Sequence, residues 1–461
     1  MQTSPSVAAL IHRQRQFFQT GATRSRPARR QALQRLRQGI GEQQDAILAA
    51  LRADLGKPNF EALGSEIVLC IDEITYVLRH WRAWMRPQPV AASLVQRPGR
   101  AYTLAEPLGT VLILSPWNYP FQLAIAPLIG AIAAGNTAIL KPSEIAPHTS
   151  QAIARLVADC FAPEWVTVVE GDKEAAQALL AEPFDHIFFT GSTQIGKVVM
   201  RAAAEHLTPV TLELGGKCPA IVTPDITLKV AVRRLVWGKF INAGQTCVAP
   251  DYLLVHRSVQ PALLGALRTT LREFYGEDPA ASLDYARIVS DAHFWRLHDL
   301  LERDRPRVVI GGETRPTEHY IAPTVLSGCT WDDATMAAEI FGPLLPVLVY
   351  DRLEEAIAQI NARPKPLALY LFSTDAAVQR QVQTATSSGG FLCNDTILHL
   401  SSPRLPFGGV GMSGLGSYRG RASFETFSHR KSVLSRSFWL DLPLRYPPYA
   451  GKEKWLKLFF R

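Results

Sequence analysis

Short apolar runs alternate with helical patterns through the middle of the chain, and this alternation constrains the fold more than any other feature. The runs are TVLILS (110–115), AILKPS (138–143), VTVVEG (166–171), DHIFFTG (185–191) and VTLELGG (210–216). Strands that are separated by helices need crossover connections, which produce a mainly parallel sheet covered on both faces. The sequence therefore predicts an α/β fold.

A second series of apolar runs follows the first and predicts a second α/β unit. Its candidate strands are YLLVH (252–256), RVVIGG (307–312), PVLVY (346–350) and LYLFS (369–373). Ahead of both series, apolar residues recur at helical spacing over 29–84, and a segment rich in Pro, Arg and Gln at 85–100 predicts an extended connector. A chain of 461 residues is long enough for two or more domains, so we expect a ligand site in the cleft between them.

Composition narrows the range of partners. The net charge of +8 is spread over the whole chain, so it favours solubility and we predict no nucleic-acid partner. The basic stretch from Arg13 to Arg37 suits a solvated helix face, with an arm for an acidic partner as the alternative.

The six cysteines show neither close pairing nor zinc-site spacing, which predicts a reduced cytosolic protein without a metal. The longest apolar tract, 123–135, is shorter than the roughly 20 residues that a membrane span needs.

Two residues with reactive side chains stand at the ends of predicted strands or helices. Cys247 lies in NAGQTCVAPDY, just ahead of a predicted strand, and such loops often present reactive groups. A buried structural thiol is the alternative. Glu213 lies between Leu212 and Leu214 at the end of a strand, where burying a lone charge is costly. It should therefore be paired with a basic residue or serve a function.

Two further stretches place polar groups ahead of predicted helices. In LSPWNYPFQ, Pro120 is suited to the first turn of a predicted helix, and Asn118 lies just ahead of that turn. The amide of Asn118 can therefore face a developing negative charge or cap the helix. In FFTGSTQIGK a strand leads into Gly191, Ser192 and Gly196 and then a helix, whose first N–H groups suit a pyrophosphate. The spacing is not GxGxxG, so the dinucleotide signal is weak by itself.

Taken together and in this order, these stretches resemble the aldehyde dehydrogenase superfamily, over nearly the whole chain. The matching motifs are SPWNYPF (115–121), LKPSE (140–144), FTGSTQIG (189–196), LELGGK (212–217), GQTC (244–247), EIFGPLLPV (339–347) and PFGGVGMSGLG (406–416). Within the superfamily the chain resembles the class 3 branch, which includes fatty aldehyde dehydrogenases. That resemblance is carried by GQTCVAPDY, by FGGVGMSGLGSYRGRASFETFSHRKSV and by LRYPPY (444–449).

The resemblance implies an NAD(P)-dependent enzyme that oxidises an aldehyde to a carboxylic acid through a thiohemiacetal and a thioester. Cys247 would be the nucleophile and Glu213 the general base, while Asn118 and the main-chain N–H of Cys247 would hold the oxyanion. The implied cofactor contacts are Lys141 and Glu144 at the adenosine ribose, Gly191, Ser192 and Gly196 at the pyrophosphate, Glu339 at the nicotinamide ribose and Phe341 against the nicotinamide ring. NAD is the first choice and NADP the alternative, because the Glu144 carboxylate should repel a 2′-phosphate.

The class 3 resemblance also implies a substrate and an architecture. The substrate would be a medium-chain to long-chain or aromatic aldehyde, with Tyr119, Trp237 and Ile397 as candidates for an apolar tunnel. A Rossmann-type cofactor domain (1–84 and 103–214) would accompany an α/β catalytic domain (215–395). A bridging element (85–102 and 396–440) would build a homodimer, and a C-terminal tail (441–461) would follow.

The end of the chain and the reaction itself leave alternatives open. The last residues, GKEKWLKLFFR, mix basic and apolar side chains as an interfacial helix does, which predicts a weak membrane-surface contact. Packing of these side chains on the protein or on a partner subunit is the alternative. We expect a cytoplasmic protein, at most peripheral at a membrane surface. The other candidate functions are a CoA-acylating dehydrogenase, in which a thiol resolves the thioester, and a catalytically silent structural member of the family.

Overall fold

The computed structural model describes residues 6–93 and 96–459. The helices of these residues are α1 (Val7–Gln19), α2 (Arg26–Glu42), α3 (Gln44–Leu55), α4 (Asn59–Ala62), α5 (Leu69–Trp84), α6 (Gln122–Ala134), α7 (Pro147–Cys160), α8 (Lys173–Leu180), α9 (Thr193–Ala204), α10 (Leu228–Phe240), α11 (Gln260–Tyr275), α12 (Asp291–Arg303), α13 (Ala334–Ala337), α14 (Leu353–Asn361), α15 (Ala376–Ala385), α16 (Gly420–Thr426) and α17 (Glu453–Phe459). The strands are β1 (Gln88–Val90), β2 (Gly99–Pro107), β3 (Thr110–Leu114), β4 (Thr137–Lys141), β5 (Val166–Val168), β6 (His186–Thr190), β7 (Val210–Glu213), β8 (Pro219–Val222), β9 (Tyr252–His256), β10 (Val308–Ile310), β11 (Thr314–Arg315), β12 (Tyr320–Ile321), β13 (Thr324–Ser327), β14 (Leu344–Tyr350), β15 (Ala368–Phe372), β16 (Gly390–Cys393), β17 (Gly414–Leu415) and β18 (Ser428–Arg436).

The N-terminal segment is helical, as its apolar spacing predicts, but it is interrupted once. Ser25 caps α2 by accepting a hydrogen bond from the N–H of Ala28, with a proline in the first turn. Gly56 ends α3 in the left-handed conformation, with φ of 60°. A π-helical segment, Leu63–Val68, then leads into α5. Periodicity does not reveal this interruption, because the apolar residues on both sides keep the helical spacing.

The first series of predicted strands forms one six-stranded sheet in the order β17-β7-β6-β3-β4-β5. Neighbouring strands from β7 to β5 run parallel, and the short β17 pairs antiparallel with β7. Helix α6 is buried along its whole length, which explains why its sequence is almost entirely apolar. The predicted α/β class is confirmed by this arrangement.

The second series contributes to a seven-stranded sheet in the order β10-β13-β14-β9-β8-β15-β16. The pairings are parallel except for β10, which runs antiparallel to β13. Three of its strands were missed by the sequence patterns: β8, β13 and β16. Each is only four residues long, and a run of that length has too few positions to show a period.

A small sheet, β1-β2-β18, stands apart from the two large ones. Strand β2 pairs with β18 over its full length, from Gly99–Arg436 to Pro107–Ser428. Two elements cross the predicted domain limits: β2 continues past residue 102, and β17, within 396–440, joins the six-stranded sheet. Among the described residues, no helix combines the length and the apolar character that crossing a bilayer requires.

Candidate active site

The carboxyl ends of the six-stranded sheet carry four of the predicted site residues. Asn118 follows β3, Lys141 ends β4, Ser192 follows β6 and Glu213 ends β7. Because β4, β3, β6 and β7 are parallel neighbours, their carboxyl ends share one edge of the sheet. Ligands of open α/β sheets bind at that edge.

Three further predicted residues precede strands of the seven-stranded sheet. Cys247 lies ahead of β9, and Glu339 and Phe341 lie ahead of β14. Strands β8, β9 and β14 are parallel, so these loops share the amino edge of that sheet. The chain passes directly from Glu213, at the end of β7, into β8. This connection brings the carboxyl edge of one sheet against the amino edge of the other.

The loop that leads to Cys247 has an unusual backbone. Asn242, Ala243 and Gly244 all have positive φ, at 53°, 51° and 75°. An alanine in this region is strained, and such strain persists only where the surroundings hold it. Part of that support comes from Glu61, whose carboxyl oxygen accepts the N–H of Asn242 at 2.9 Å.

Neighbouring side chains fix the rest of this loop. The side chain of Gln245 donates to the carbonyl of Arg287 at 2.9 Å and accepts the N–H of Val289 at 3.0 Å. The buried thiol of Cys218 donates to the carbonyl of Cys247 at 3.4 Å, so Cys218 also supports this loop. Cys393, by contrast, is exposed.

The thiol of Cys247 is half-buried, and its surroundings favour the protonated form. Burial, together with the charges of the Glu339 and Glu213 carboxyl groups, raises its pKa to about 12. The main-chain N–H groups of Cys247 and Val248 oppose this shift because they donate toward the sulfur. The same N–H groups are therefore directed at the place where negative charge would develop.

Glu213 is a buried carboxyl without a local partner. Neither of its oxygens has a hydrogen-bond partner among the residues that the structure describes, and no ion pair to a basic side chain is present there. Burial raises its pKa well above the usual range, and the charge of Arg419 opposes the shift. The expected alternative, a carboxylate paired with a basic residue, is not what the described residues show. An unpartnered buried carboxyl is costly, and such groups concentrate at functional sites.

Asn118 is buried and is tied to the loop of Cys247. Its side-chain amide donates to the carbonyl of Gln245 at 3.1 Å. It does not cap α6, which begins only at Gln122, so the placement of Pro120 in the first helical turn is wrong. Glu66 caps this helix instead, by accepting the N–H groups of Phe121 at 2.9 Å and Gln122 at 3.2 Å.

A cavity of about 680 Å³ leads to Cys247. The three residues predicted for an apolar tunnel, Tyr119, Trp237 and Ile397, all line it. Most of the other lining is apolar, including Leu69, Leu123, Val248, Phe274, Leu398, Leu400 and Phe407. Its charged lining residues are Glu61, Arg233, Glu273, Asp284 and Arg419. The cavity size falls within the usual range of small-molecule sites.

The residues predicted for a dinucleotide fit such a ligand. Lys141 and Glu144 form an ion pair of 2.7 Å at the end of β4. Ser192 caps α9 by accepting the N–H of Ile195, and this first turn is exposed at the sheet edge.

Two glycines allow close packing beside this helix. A Cβ at Gly196 would lie 2.6 Å from the Leu214 side chain, so glycine lets α9 approach the end of β7. A Cβ at Gly215 would collide with the carboxyl of Glu339. The observed place of that carboxyl therefore depends on glycine at 215. Gly191 does not cap α9. Its N–H donates to the carbonyl of Glu213 at 3.0 Å. These contacts join the predicted pyrophosphate and nicotinamide ends of the site.

The aromatic surroundings of Phe341 were only partly expected. Phe341 has a positive φ of 50° and meets Trp117 edge-on, with ring centroids 5.3 Å apart. His293 also contacts Trp117, with the two ring centroids 4.6 Å apart. Within the described residues, no group of histidine, cysteine and acidic side chains has the arrangement of a metal site.

Four charged residues near the site were missed by the sequence patterns: Lys57, Glu61, Glu66 and Arg419. Lys57 and Glu66 form a fully buried ion pair of 2.5 Å. Arg419 lines the cavity near Glu213 and is itself buried. Charged residues within apolar stretches could have indicated these positions. Their contacts near the site involve residues that are far away in sequence, so the contacts could not be recognised.

The comparisons with known proteins agree with this geometry. The profile described as "Aldehyde dehydrogenase family" matches residues 2–433. The chain belongs to the aldehyde dehydrogenase family. The predicted superfamily and the predicted enzyme class, an NAD(P)-dependent aldehyde dehydrogenase, are confirmed.

Several curated relatives are similar over nearly the whole chain. The 4,4'-diaponeurosporen-aldehyde dehydrogenase of Staphylococcus aureus is 49% identical over 445 residues, which are 96% of this chain and 97% of the relative. The dimeric NADP-preferring aldehyde dehydrogenase of Rattus norvegicus is 45% identical, over 97% of this chain and 99% of the relative. Aldehyde dehydrogenase family 3 member A2 of Macaca fascicularis is 44% identical, over 97% and 93%. The predicted class 3 branch is confirmed by these family 3 relatives.

Solved structures show the same fold. The substrate-bound state of Staphylococcus aureus AldH has a TM-score of 0.97 at 47% identity, covering 99% of this chain and 100% of that one. An NAD⁺ complex of aldehyde dehydrogenase from Bacillus cereus has a TM-score of 0.85 at 29% identity, covering 93% and 88%. The predicted aldehyde dehydrogenase fold is confirmed by these similarities.

Proposed function

We propose that this enzyme oxidises long, apolar aldehydes to carboxylic acids through a thioester on Cys247. One observation carries the proposal: Cys247 lines a largely apolar cavity, and the nearby carboxyl of Glu213 has no hydrogen-bond partner among the described residues. An apolar cavity binds a hydrocarbon chain by removing it from water. A nucleophile at its end would then meet the aldehyde group of that chain.

In the first half of the reaction, the thiol of Cys247 releases its proton to water, and the sulfur attacks the carbonyl carbon and forms a thiohemiacetal oxyanion. The developing oxyanion is held by the side-chain amide of Asn118 and the main-chain N–H of Cys247. One N–H of the Asn118 side-chain amide donates to the carbonyl of Gln245, so the second N–H is the one that can donate to the oxyanion. Hydrogen-bond donors that are already oriented in a site from which water is excluded stabilise such charge strongly.

The cofactor would lie across the carboxyl edge of the six-stranded sheet. Lys141 and Glu144 would hold the adenosine ribose, the first turn of α9 the pyrophosphate, and Glu339 and Phe341 the nicotinamide riboside. When bound, NAD(P)⁺ supplies the acceptor for the hydride that the thiohemiacetal must lose to become a thioester.

In the second half, Glu213 removes a proton from water, and the hydroxide attacks the thioester carbon and expels the sulfur of Cys247. A carboxyl whose pKa is raised by burial is a stronger base, once ionised, than an exposed carboxylate. The charge of Arg419 helps to stabilise the ionised form that this step requires.

The proposed substrate class is tested by a series of linear aldehydes from acetaldehyde to hexadecanal. We expect kcat/KM to rise with chain length, by up to about fourfold for each methylene that the cavity buries. Trp237→Ala should weaken this rise, because Trp237 lines the cavity. Arg257→Ala, at an exposed ion pair with Asp351, provides the control. A flat series in the unaltered enzyme would contradict the apolar substrate. An isoprenoid aldehyde of matched length tests the shape of the chain.

A CoA-acylating reaction is the second candidate. Glu213 argues against it, because a thiol acceptor does not need a carboxyl base beside the thioester. Product analysis without CoA distinguishes the two, since hydrolysis then continues and acyl transfer stops. The same assay tests whether the chain is a catalytically silent member, which would reduce no cofactor with any aldehyde.

The proposed assembly is a homodimer through the small sheet. Strands β1 and β18 are its two edges, and an open edge can pair with a strand of a second copy. A relative at 45% identity is named dimeric, which supports the proposal. Light scattering should give about twice the chain mass of 50.9 kDa, and a monomer mass would contradict it.

The C-terminal segment carries the proposed contact with a membrane surface. Phe438, Trp439 and Trp455 are exposed beside basic residues, and α17 covers Glu453–Phe459, while 460–461 lie outside the described residues. Exposed aromatic and basic side chains together favour an anionic interface, so we propose a cytoplasmic enzyme that is peripheral at a membrane. Flotation with anionic liposomes should require residues 441–461, and equal flotation of the truncated chain would contradict the proposal.

A further inference from the structure

Lys57 and Glu66 form an ion pair that lies behind the proposed oxyanion site. Both side chains are fully buried, and the ammonium nitrogen contacts one carboxylate oxygen at 2.5 Å. Lys57 precedes α4, and Glu66 lies in the π-helical segment Leu63–Val68. A buried ion pair often contributes little net stability, because both charges lose their hydration. Its other contacts therefore indicate what the pair does.

Those contacts converge on the segment that contains Asn118. Lys57 donates to the main-chain carbonyl of Asn118 at 3.1 Å. The second oxygen of Glu66 accepts the N–H groups of Phe121 and Gln122, the first donors of α6. The pair thus holds both ends of a five-residue segment, 118–122, which has no side-chain cap of its own.

The same segment is joined to the loop of the nucleophile. The side chain of Asn242 donates to the carbonyl of Asn118 at 2.8 Å and to the carbonyl of Gln245 at 3.1 Å. The carbonyl of Asn118 thus accepts hydrogen bonds from two side chains, and Lys57 is the charged one. Lys57 also lies over the ring of Tyr119, 4.1 Å from its centroid. Moving this ammonium would shift Asn118 relative to Cys247.

We propose that Lys57 and Glu66 are positioning residues that hold the amide of Asn118 beside the Cys247 sulfur. The inference rests on the oxyanion role proposed for Asn118. Neither residue of the pair needs to contact substrate, because both act through the main chain of 118–122. A displacement of about 1 Å at a reacting centre can cost about 100-fold in rate.

The test is a double-mutant cycle between the pair and Asn118. Lys57→Met with Glu66→Gln removes both charges together and leaves no unpaired buried ion. We expect the single-turnover rate of cofactor reduction to fall about 10-fold to 100-fold, while the Kd of reduced cofactor stays unchanged. In an Asn118→Ala background, the same two substitutions should lower the rate less than about twofold, because the amide that they position is absent.

Two results separate this inference from the function on which it rests. If Asn118→Ala leaves the single-turnover rate unchanged, the oxyanion role itself is wrong. If Asn118→Ala slows the rate, the two substitutions Lys57→Met and Glu66→Gln can still lower it in that background by the same factor as in the unaltered enzyme. In that case the positioning role is wrong and the oxyanion role survives. An unchanged rate in the folded Lys57→Met/Glu66→Gln enzyme would also overturn the positioning role.

A second variant covers the case in which the doubly substituted protein does not fold. Glu66→Gln alone keeps the size of the side chain and an acceptor for the two N–H groups, but it weakens the hold on Lys57. It should give a smaller rate loss of about threefold to tenfold, again absent in the Asn118→Ala background. Loss of the same size in both backgrounds would overturn the inference. Glu355→Gln, at an exposed ion pair with Arg352, is the matched control for loss of a carboxylate.

Discussion

The carboxyl of Glu213 lies close enough to Cys247 for its charge to raise the pKa of the thiol, although 33 residues, 214–246, separate the two in sequence. Neither carboxyl oxygen is bonded to another described residue. The pair therefore joins a nucleophile with a base that is free to bind water. This arrangement separates two chemical steps, since the thiol forms the thioester and the carboxyl resolves it.

Glu213→Gln should slow hydrolysis of the thioester and leave its formation intact. The amide cannot accept the proton of the attacking water, so the acyl-enzyme should accumulate. Stopped-flow measurement should show a burst of reduced cofactor, close to one per active site, followed by turnover slower by about 100-fold or more. Intact mass spectrometry should find the acyl group on Cys247. A lost burst would contradict the role of Glu213 in the second half-reaction.

Cys247→Ala should abolish aldehyde oxidation, because Cys247 carries the only thiol among the described residues that line the cavity. Binding of reduced cofactor, measured by fluorescence titration, should change less than about twofold, since alanine keeps the loop conformation and the cofactor edge is intact. Cys393→Ala is the matched control, because this cysteine is exposed on β16, and it should retain full activity. Substantial turnover by Cys247→Ala would refute the assignment of the nucleophile.

Glu61 should make the preference for long aldehydes dependent on pH. Its carboxyl lines the cavity, and burial raises its pKa to about 7, against the opposing charge of Lys57. The group is neutral below this pH and ionised above it, so a rise in pH places charge in the apolar cavity. The ratio of kcat/KM for decanal to that for propanal should therefore fall about threefold to tenfold from pH 6 to pH 8.

This ratio cancels any titration that affects both substrates equally, including that of Cys247. Glu61→Gln keeps an acceptor for the N–H of Asn242 but cannot ionise, so its ratio should stay constant with pH. A pH-dependent ratio in Glu61→Gln would assign the effect to another group.

Glu144→Gln should shift the cofactor preference toward NADP. The carboxylate is partly exposed and pairs with Lys141 at 2.7 Å. Its removal eliminates repulsion of a 2′-phosphate and frees the ammonium to contact that phosphate. The ratio of kcat/KM for NAD to that for NADP should fall by about tenfold. Glu205→Gln, exposed at the end of α9, should leave the ratio unchanged. An unchanged ratio in Glu144→Gln would exclude this residue as the determinant.

Local patterns were sufficient for much of the architecture. The strand of TVLILS is buried on both faces and reads as a continuous apolar run, as a central parallel strand does. The edge or short strands β8, β13 and β16 were missed because four residues carry no measurable period. At the site, the order of the motifs predicted Cys247, Glu213 and Asn118, but Glu66, which caps α6 in place of the alternative role of Asn118, was not recognised.

The sequence by itself determined the α/β class, the family and the residues that carry reactive groups, because periodicity and motif order are properties of neighbouring positions. The tertiary structure decided which of those groups meet and what supports them. Glu66 caps a helix that begins 56 residues later in the chain, and Asn118 bonds to the loop of Cys247 across 127 residues. Such contacts depend on how the two sheets are apposed, and a buried charge finds its partner only when that packing removes both groups from water.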